Sequence, residues 1–497
     1  MTKIAIKQVA TPFNEAQMDS ADVVIILGRN ETSMAQWPIL ADLDNIRKRL
    51  QRQKKAAPPA TLVECNLPST HLIIASVKSI ESMFDLLTQG AKIAKSAMLE
   101  DPTTIAVCVL DIEPNQASLA LEALLAALLA GAYPLPSFKQ SPPPKKPIKS
   151  IVLYGTNNLR LDSKRLLAEA AGNNLARHFS ALPTNHLTPT HYRKEIQRLA
   201  DDNDWTMKFL DVKALQREKA GAFLAVAAGS EPNDAGIVHL RYDPPSKIKH
   251  EKHHLALVGK GICFDTGGTN LKPAKFMHGM HEDMAGSAVA LGTLLALTHL
   301  RVNFPVECWL ALAQNDIGPK AYKQNSVVTA HNGTTIEIIH TDAEGRMVLA
   351  DTLSLASAHK PGLIIDYATL TGSCIAALSS RYSGAFTNRA LLHDDIIAAG
   401  RDSGERVWPF PWDEDFDCEL ESLVADVKQC TLDSEADHIL ATRFLSRFVA
   451  NTPWLHIDLA SSSHKGGLAH VSTDTTGFGV RFTLNLLLDK QVLNKLA

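Results

Sequence analysis

Short apolar runs alternate with segments of helical periodicity along nearly all of this 497-residue chain. In the first third, strand-like runs such as Val23–Gly28 and Ile105–Ile112 are separated by helix-like segments such as Ile80–Met98. This alternation predicts an α/β fold in which a largely parallel or mixed sheet is layered against helices. The later run Leu255–Val258 is apolar at every position, which indicates a sheet covered on both faces.

The other predicted elements continue the alternation. The apolar stretch Ser118–Tyr133 is interrupted by Glu122 and is too short to span a bilayer, so we expect a buried helix and no membrane partner. A helix over Asp162–Leu182 should end at Pro183. The remaining predicted strands are Leu72–Val77, Ile151–Gly155, Met207–Val212, Ala222–Ala228, Gly236–Tyr242, His254–Val258, Val306–Ala313, Thr335–His340, Gly362–Ala368 and Trp454–Leu459.

The length of the chain exceeds what one hydrophobic core usually supports, so we expect two domains. We place an N-terminal α/β (macro-like) domain at residues 1–160, a connecting helix at 161–182 and a C-terminal mixed-sheet α/β domain at 183–497. The N-terminal domain carries no glycine-rich phosphate-binding motif. Its role is therefore left open.

Charge and cysteine usage exclude several classes of protein. A formal net charge of -3 gives no overall attraction to nucleic acid or anionic membranes. The seven cysteines are never in Cys-x-x-Cys spacing, which argues against a disulfide framework and against a thiolate zinc site. The first residues lack the apolar core of a secretory signal. We therefore expect a cytoplasmic location.

The segment His340–Arg346 concentrates charge. Asp342, Glu344 and Arg346 place two carboxylates and a guanidinium within five residues, directly before the apolar segment Met347–Ala358. Such crowding is costly unless a divalent ion lies between the carboxylates.

A capping box is the alternative interpretation of this segment. Thr341 and Glu344 have its spacing, and a helix-like run follows. Gly345 would be a poor choice for a purely structural helix start, because glycine costs about 1 kcal/mol relative to alanine in a helix. Taken alone, the segment leaves both interpretations open.

A second charged motif lies in Val258–Gly268, with the sequence VGKGICFDTGG. It follows a buried strand and places Lys260 and Asp265 five residues apart in a predicted glycine-rich turn. It lacks the Gly-Lys-Ser/Thr ending of a phosphate-binding loop. Lys272 follows, and Asp283 stands at the start of a long apolar helix.

Together these motifs resemble those of the leucyl aminopeptidases, a family of two-metal cytosolic exopeptidases. Val258–Gly268 is similar to the family's V-G-K-G-x-x-F-D-S-G-G, and 340–347 to its N-T-D-A-E-G-R-L, with His340 for asparagine and Met347 for leucine. Ala368–Gly372 matches A-T-L-T-G. The flanking segments 184–189 and Trp454–Asp458 resemble N-x-L-T-P and W-x-H-x-D.

The resemblance implies two divalent ions per subunit, Mn²⁺ or Zn²⁺, with Mg²⁺ or Co²⁺ also compatible. In the family, the positions of Lys260, Asp265, Asp283 and Glu344 hold one ion, and those of Asp265, Asp342 and Glu344 hold the other. Four carboxylates balance two dications, so the fifth ligand should be neutral. A nearby dication and burial both favour the uncharged amine of lysine over its free-solution pKa of about 10.4.

The same resemblance supplies the remaining roles. With all four carboxylates serving as ligands, none remains as a general base, and the family's answer is a bicarbonate held at the position of Arg346. Lys272 would stabilise the charge that develops on the scissile carbonyl. The implied substrate-binding residues are Lys272, Met280, Thr369, Leu370 and Gly372.

The implied activity is the release of single N-terminal residues, leucine-like by preference, from short peptides by a water that the two ions activate. A homohexamer is the implied assembly. A two-metal phosphoryl hydrolase is disfavoured by a lysine ligand, and a non-catalytic DNA-binding relative by the near-neutral charge. Two departures from the family leave side-chain preference open: His340, and the acidic segment Thr431–His438 in place of a glycine-rich one.

Overall fold

The structure is a computed structural model that describes residues 4–9, 13, 20–28, 62–66, 70–77, 82–110, 112–140, 146–156, 158–230, 233–245, 254–433 and 435–496. The chain divides into two compact units. The first comprises Met1–Leu167 and Gly466–Thr473, and the second comprises Ala168–Lys465 and Asp474–Ala497. Residues 80 and 81 of the first predicted helix lie outside the described ranges.

Among its described residues, the first unit has a six-stranded sheet and two α-helices. Its strands are β1 (Ala5–Val9), β2 (Val23–Gly28), β3 (Leu62–Asn66), β4 (His71–Ser76), β5 (Thr104–Leu110) and β6 (Ser150–Tyr154), and its helices are α1 (Met83–Ala97) and α2 (Pro114–Gly131). The strand order is β1-β6-β5-β2-β4-β3, with β3 antiparallel to β4 and the other pairs parallel. Most of α2 is buried, as predicted for Ser118–Tyr133.

The second unit carries the larger sheet, and helix α3 (Ser163–Ser180) leads into it from the first. Its strands are β7 (Thr206–Asp211), β8 (Gly236–Tyr242), β9 (Leu255–Asp265), β10 (Val306–Asn315), β11 (Val327–Thr329), β12 (Thr335–Glu337), β13 (Leu363–Ala368), β14 (Ser383–Thr387), β15 (Val407–Pro409), β16 (Val427–Lys428) and β17 (Trp454–Asp458). Its further helices are α4 (Pro189–Asp202), α5 (Val212–Arg217), α6 (Gly221–Ala227), α7 (Ala274–Met277), α8 (Ala285–Leu300), α9 (Glu344–Ala358), α10 (Gly372–Leu378), α11 (His393–Ser403), α12 (Asp437–Ser446), α13 (Val480–Leu484) and α14 (Val492–Lys495).

Eight of these strands form one mixed sheet in the order β15-β14-β17-β13-β9-β10-β8-β7. Its four central strands, β17, β13, β9 and β10, are parallel to one another. Strands β11, β12 and β16 form a separate three-stranded sheet. The predicted α/β class, with a mixed sheet in the C-terminal half, is confirmed.

One predicted strand is wrong: of Ala222–Ala228, all but the last residue lie in helix α6, and Ala228 is its C-cap. A short run of apolar residues fits a buried strand and a buried helix equally well. The backbone N–H of Phe223, in the first turn of α6, donates to Oδ2 of the buried Asp351 at 2.8 Å. This acceptor lies 128 residues away, so local sequence could not reveal it.

The glycine-rich turn was predicted too early in the chain. Strand β9 continues to Asp265, so Gly259 and Gly261 lie within it, and the turn falls at Gly267 and Gly268, where φ is +87° and +65°. Gly259 serves packing instead. A Cβ at this position would lie 2.4 Å from the Cα of Ser287, so the missing side chain lets α8 approach β9 closely.

Helix α8 is the central helix of the second unit. The helical stretch Ala274–Leu300 has the length and hydropathy of a candidate membrane span, yet 83% of its most apolar window is buried inside the protein. Burial of this kind is typical of a core helix. The cysteines whose side chains are described, Cys108, Cys263, Cys308, Cys374, Cys418 and Cys430, are free thiols.

A fully buried polar group ties β17 to β13. His456 Nδ1 lies 2.7 Å from Asp366 Oδ1, and Trp454 Nε1 donates to Asp366 Oδ2 at 2.6 Å. Burial opposes the charge of His456, but the carboxylate and its hydrogen bond outweigh burial and raise the imidazole pKa. The stabilisation from the pair is therefore full below the unfolded pKa, near 6.5, and is lost as pH rises through the higher folded value.

We therefore expect the stability advantage of the wild-type chain over His456→Phe to shrink as the pH rises from 6 to 9. Urea unfolding at a series of pH values measures it. His393→Phe, at the start of α11 and partly exposed, is the control and should show a difference that does not follow this course. An advantage over His456→Phe that stays constant with pH would contradict the prediction.

Candidate active site

Four parallel strands end at one edge of the large sheet. Asp265 ends β9, Asn315 ends β10, Thr369 follows β13 and Asp458 ends β17. In open α/β sheets, ligands bind outside the carboxyl ends of the strands. The polar side chains at this edge therefore define the candidate site.

Lys260 is buried and contacts two carboxylates. Its Nζ lies 2.8 Å from Asp283 Oδ1 and 2.9 Å from Glu344 Oε1, and it donates to the carbonyl oxygen of Thr369 at 3.0 Å. Burial opposes the charge of Lys260, but the neighbouring carboxylates, Asp283 first, outweigh it and raise the pKa of the amine. Without a competing cation, this lysine is an ammonium group.

Lys272 pairs with the other two carboxylates. Its Nζ lies 2.9 Å from Asp265 Oδ2 and also contacts Asp342 Oδ1. Burial again opposes the charge, and Asp265 leads the groups that raise the pKa of Lys272. The structure thus brings together six predicted site residues, which we call the carboxylate–lysine cluster: Lys260, Asp265, Lys272, Asp283, Asp342 and Glu344.

Three carboxylate oxygens of the cluster are buried without a hydrogen bond. Asp342 Oδ1 still contacts Lys272 Nζ, whereas Asp283 Oδ2 and Glu344 Oε2 have no partner. Carboxylate oxygens of Asp265, Asp342 and Glu344 also lie within 4.8 Å of one another. Burying unpartnered charged oxygens is costly. A cation placed among them would satisfy these atoms, so the residues fit a divalent metal site.

Crowding also makes the carboxylates hard to ionise. Burial raises the pKa of Asp283 to about 8, despite the neighbouring ammonium group. Burial and then Asp265 raise the pKa of Asp342 to about 6, and the same two causes raise that of Glu344. A dication reverses this balance, because it favours the ionised form of every carboxylate around it.

Asn315 holds the two charged motifs together, and sequence reasoning missed it. Its Nδ2 donates to Asp265 Oδ1 at 2.8 Å and to the carbonyl oxygen of Thr341 at 3.0 Å. Tyr322 donates its hydroxyl to the same carbonyl at 2.8 Å. The available signal was a polar residue at the end of the mostly apolar strand-like run from Val306.

The capping-box interpretation is wrong. The Thr341 hydroxyl donates to the carbonyl oxygen of Gly267 at 2.7 Å and accepts from the backbone N–H of Asn270 at 2.8 Å. The residue before α9 is Ala343, which makes no side-chain cap. Thr341 therefore joins the turn after β9 to the segment that carries Asp342 and Glu344.

The segment after β13 borders the cluster. Thr369 Oγ1 donates to Asp283 Oδ1 at 2.7 Å, and the backbone N–H of Leu370 donates to Asp458 Oδ1 at 3.1 Å. Asp458, from the W-x-H-x-D match, thereby fixes the start of this segment. Met280 lies in a short 3₁₀ turn directly before Asp283, and Gly372 begins α10.

Arg346 is buried and already carries a partner. Its Nη2 donates to both carboxylate oxygens of Asp437, at 2.8 and 2.9 Å, and its Nη1 donates to the carbonyl oxygen of Gln429 at 3.1 Å. Its Nε is buried without a partner. Asp437 belongs to the acidic segment that departs from the family pattern.

His340, the other departure, accepts a hydrogen bond from the backbone. The N–H of Asp342 donates to His340 Nδ1 at 3.3 Å. Burial and then Lys272 lower the imidazole pKa, against the opposing charge of Asp437. A neutral imidazole therefore supplies an acceptor at the position that the resemblance pairs with asparagine.

Gly345 gives Lys260 its space, since a Cβ at this position would lie 2.7 Å from Lys260 Nζ. We expect Gly345→Ala to push the lysine from its carboxylates and to lower the free energy of unfolding by about 1–3 kcal/mol. Gly372→Ala is the control, because it also falls in a first helical turn but meets no atom within 4 Å. Equal stability of the two variants in urea unfolding would contradict this account.

Comparison with known proteins supports this fold and assigns the chain to a family. The model of the cytosol aminopeptidase family, catalytic domain, matches residues 174–484. A probable cytosol aminopeptidase of Wolbachia pipientis is 39% identical over 320 residues, which cover 64% of this chain and 63% of that protein. One of Burkholderia multivorans is 34% identical over 395 residues, covering 78% and 76%.

Two solved structures are similar over nearly the whole chain. A lysine-to-glutamate mutant of tomato leucine aminopeptidase has a TM-score of 0.84 and 28% identity, and the match covers 98% of this chain and 97% of that one. The bottromycin maturation enzyme BotP in complex with Mn has a TM-score of 0.81 and 28% identity, covering 95% and 99%.

The fold and the carboxylate–lysine cluster define an α/β protein with a candidate metal site at the carboxyl edge of its large sheet. The chain belongs to the cytosol aminopeptidase family, whose catalytic-domain model covers well over half of it. The alignments span less than two thirds of some of these relatives, 63% of the Wolbachia protein and 64% of one from Acidovorax.

Proposed function

We propose that this chain is a metal-dependent aminopeptidase that releases single N-terminal amino acids from short peptides, with a broad preference for leucine-like residues. The observation that carries the proposal is the buried carboxylate–lysine cluster with its unpartnered oxygens at the carboxyl edge of the sheet. In this proposal, the C-terminal domain predicted at 183–497 performs catalysis. The helix at 161–182 connects it to the N-terminal domain at 1–160, which has no assigned chemistry.

We assign Lys260, Asp265, Asp283, Asp342 and Glu344 as ligands of two divalent ions. Four carboxylates neutralise two dications, and oxygen-rich ligation suits Mn²⁺, Mg²⁺, Zn²⁺ or Co²⁺. Lys260 must lose its proton to serve as a ligand. An ion near Asp283 and Glu344 would cancel the negative field that holds this proton.

The roles of the protein groups follow from their placement. When bound, the ions would supply Lewis acidity and lower the pKa of a coordinated water. Lys272 retains its proton and lies beside Asp265 and Asp342, where it can stabilise negative charge on the substrate's carbonyl oxygen. We assign Met280, Thr369, Leu370 and Gly372 to contacts with the substrate.

Activity of metal-depleted protein is the direct test. We expect no hydrolysis of leucine amide after chelation, and recovery after addition of Mn²⁺ or Zn²⁺. Lack of activity with all four metals would overturn the proposal. Metal-dependent cleavage of a phosphate ester alone would favour the phosphoryl hydrolase, and a salt-dependent mobility shift of duplex DNA without peptidase activity would favour the DNA-binding relative.

Lys272→Ala should lower kcat about 100- to 1,000-fold, the usual effect of removing one group that stabilises an oxyanion. The matched control is Lys275→Ala, which removes an exposed lysine three residues away. If Lys272→Ala and Lys275→Ala retained equal kcat, the assigned role of Lys272 would be wrong.

Arg346 is the residue to which we assign a bicarbonate that carries the proton. Asp437 already occupies Nη2, so the anion must displace or share this partner, whereas Nε has an unused donor. Asp437 therefore competes with the bicarbonate for the guanidinium group. The competition arises because Asp437 belongs to the acidic segment Thr431–His438, which replaces the family's glycine-rich segment.

The competition predicts how the bicarbonate requirement changes. Asp437→Ala should lower the bicarbonate concentration for half-maximal activity about tenfold, or about 1.4 kcal/mol, roughly one charge-assisted hydrogen bond. Activity in carbon-dioxide-free buffer with added bicarbonate measures it. Asp433→Ala, an exposed acid in the same segment, should leave it unchanged. An unchanged requirement in Asp437→Ala would exclude the competition.

We also propose that six copies of the 54.0 kDa chain assemble and that the protein works in the cytosol. The resemblance supports the hexamer, and the names of the relatives support the location. Light scattering of the purified protein measures the number of chains.

A further inference from the structure

A second cluster of metal-ligand side chains lies elsewhere on the large sheet. Glu307 and Trp309 lie on β10, and their register partners on β8 are Arg241 and His239. His359 directly follows helix α9. His239, Glu307 and His359 place one ligand atom each within 4.8 Å of the other two. We call these three residues the His–Glu–His cluster.

This cluster is separate from the candidate active site. Glu307 is paired with Ala256 near the start of β9, nine residues before Asp265. At about 3.3 Å per residue, the two positions are about 30 Å apart along the strand. The His–Glu–His cluster thus lies toward the amino ends of the parallel strands, and its residues take no part in the proposed peptidase chemistry.

Its spacing suits a tetrahedral ion. Glu307 Oε2 lies 3.5 Å from His239 Nε2 and 3.1 Å from His359 Nδ1. Zinc bonds of about 2.0–2.2 Å to nitrogen and oxygen separate neighbouring ligand atoms by roughly 3.3–3.6 Å in a tetrahedron. Small side-chain rotations would bring the three atoms to this geometry.

His239 is the residue that points to a ligand. It is 8% exposed, and its buried Nε2 lies 3.5 Å from Glu307 Oε2 without forming a well-aligned hydrogen bond. Its ring stacks on Trp309 with 3.8 Å between ring centroids, which fixes the direction of Nε2. An ion is the natural partner for a buried imidazole nitrogen held toward a carboxylate and a second imidazole.

The carboxylate is prepared for a cation. Trp309 Nε1 donates to Glu307 Oε2 at 3.2 Å, and Arg241 Nη1 donates to Oε1 at 3.2 Å. Outer hydrogen bonds of this kind orient metal-binding carboxylates.

We propose that His239, Glu307 and His359 form a zinc site distinct from the catalytic one, with a water molecule as the fourth ligand. Two imidazoles and a carboxylate are a ligand set that suits Zn²⁺. The ion would link β8, β10 and the end of α9, which are distant in sequence. Free energy of binding to the folded chain would add to stability.

The test counts zinc in the full chain after equilibrium dialysis. His359→Ala and His239→Phe should each bind one Zn²⁺ fewer per chain than the wild type. Subtraction from the wild type removes any zinc held at the carboxylate–lysine cluster. The control is His331→Ala, because His331 also lies near a glutamate, Glu218, but outside the cluster. It should bind as much zinc as the wild type.

Two features keep the outcome interpretable. His359 has 41% of its side chain exposed, and phenylalanine at position 239 preserves the stacking on Trp309, so both variants should fold. Zn²⁺ should raise the melting temperature of the wild type more than that of either variant, whereas peptidase activity at saturating metal stays the same. Equal zinc content in all four proteins would overturn the proposal and leave an ion-pair network among Arg241, Glu307 and the histidines.

Discussion

The ion pairs between two buried lysines and four carboxylates are the interaction on which the site depends. Removing these charges from water is expensive, and their attraction repays the cost only when geometry is good. Lys260 and Lys272 each contact two carboxylates, yet two oxygens stay unpartnered and three carboxyl groups have raised pKa values. Four carboxylates against two ammonium groups leave an excess of acidic groups that is suited to divalent cations.

The sheet makes this concentration of charge possible. Parallel pairing of β9, β10, β13 and β17 brings the ends of four distant segments to one edge. Asn315 and Asp458 then fix the neighbouring loops by hydrogen bonds to Asp265, to the Thr341 carbonyl and to the backbone of Leu370. Glycines at 259 and 345 supply space for a helix and for the Lys260 side chain. Lys260 and Asp265 lie on β9 and Glu344 begins α9, whereas Lys272, Asp283 and Asp342 lie in connecting segments.

Much of the fold followed from periodicity. The central strands were predicted from fully apolar runs such as Leu255–Val258, and α2 from an apolar stretch that is too short to span a bilayer. The segment at 222–228 was mispredicted because seven apolar residues do not distinguish helix from strand. Its helix is capped by Asp351, which is distant in sequence. Short strands such as β11 and β16 carry too few residues for a periodic signal.

The sequence by itself determined the chemical content of the site: which carboxylates, lysines and arginine the chain possesses, and in which motifs. Their spacing along the chain carries that information. Only the tertiary structure decided which groups meet. Thr341 bonds to the turn after β9 rather than capping α9, Arg346 pairs with Asp437, and His239 faces Glu307 across two strands. The residues in such contacts are far apart in the sequence. Arg346 and Asp437 are 91 positions apart, and Arg241 and Glu307 are 66 positions apart. Strand register and helix packing determine such distances, and neither is written in a local motif.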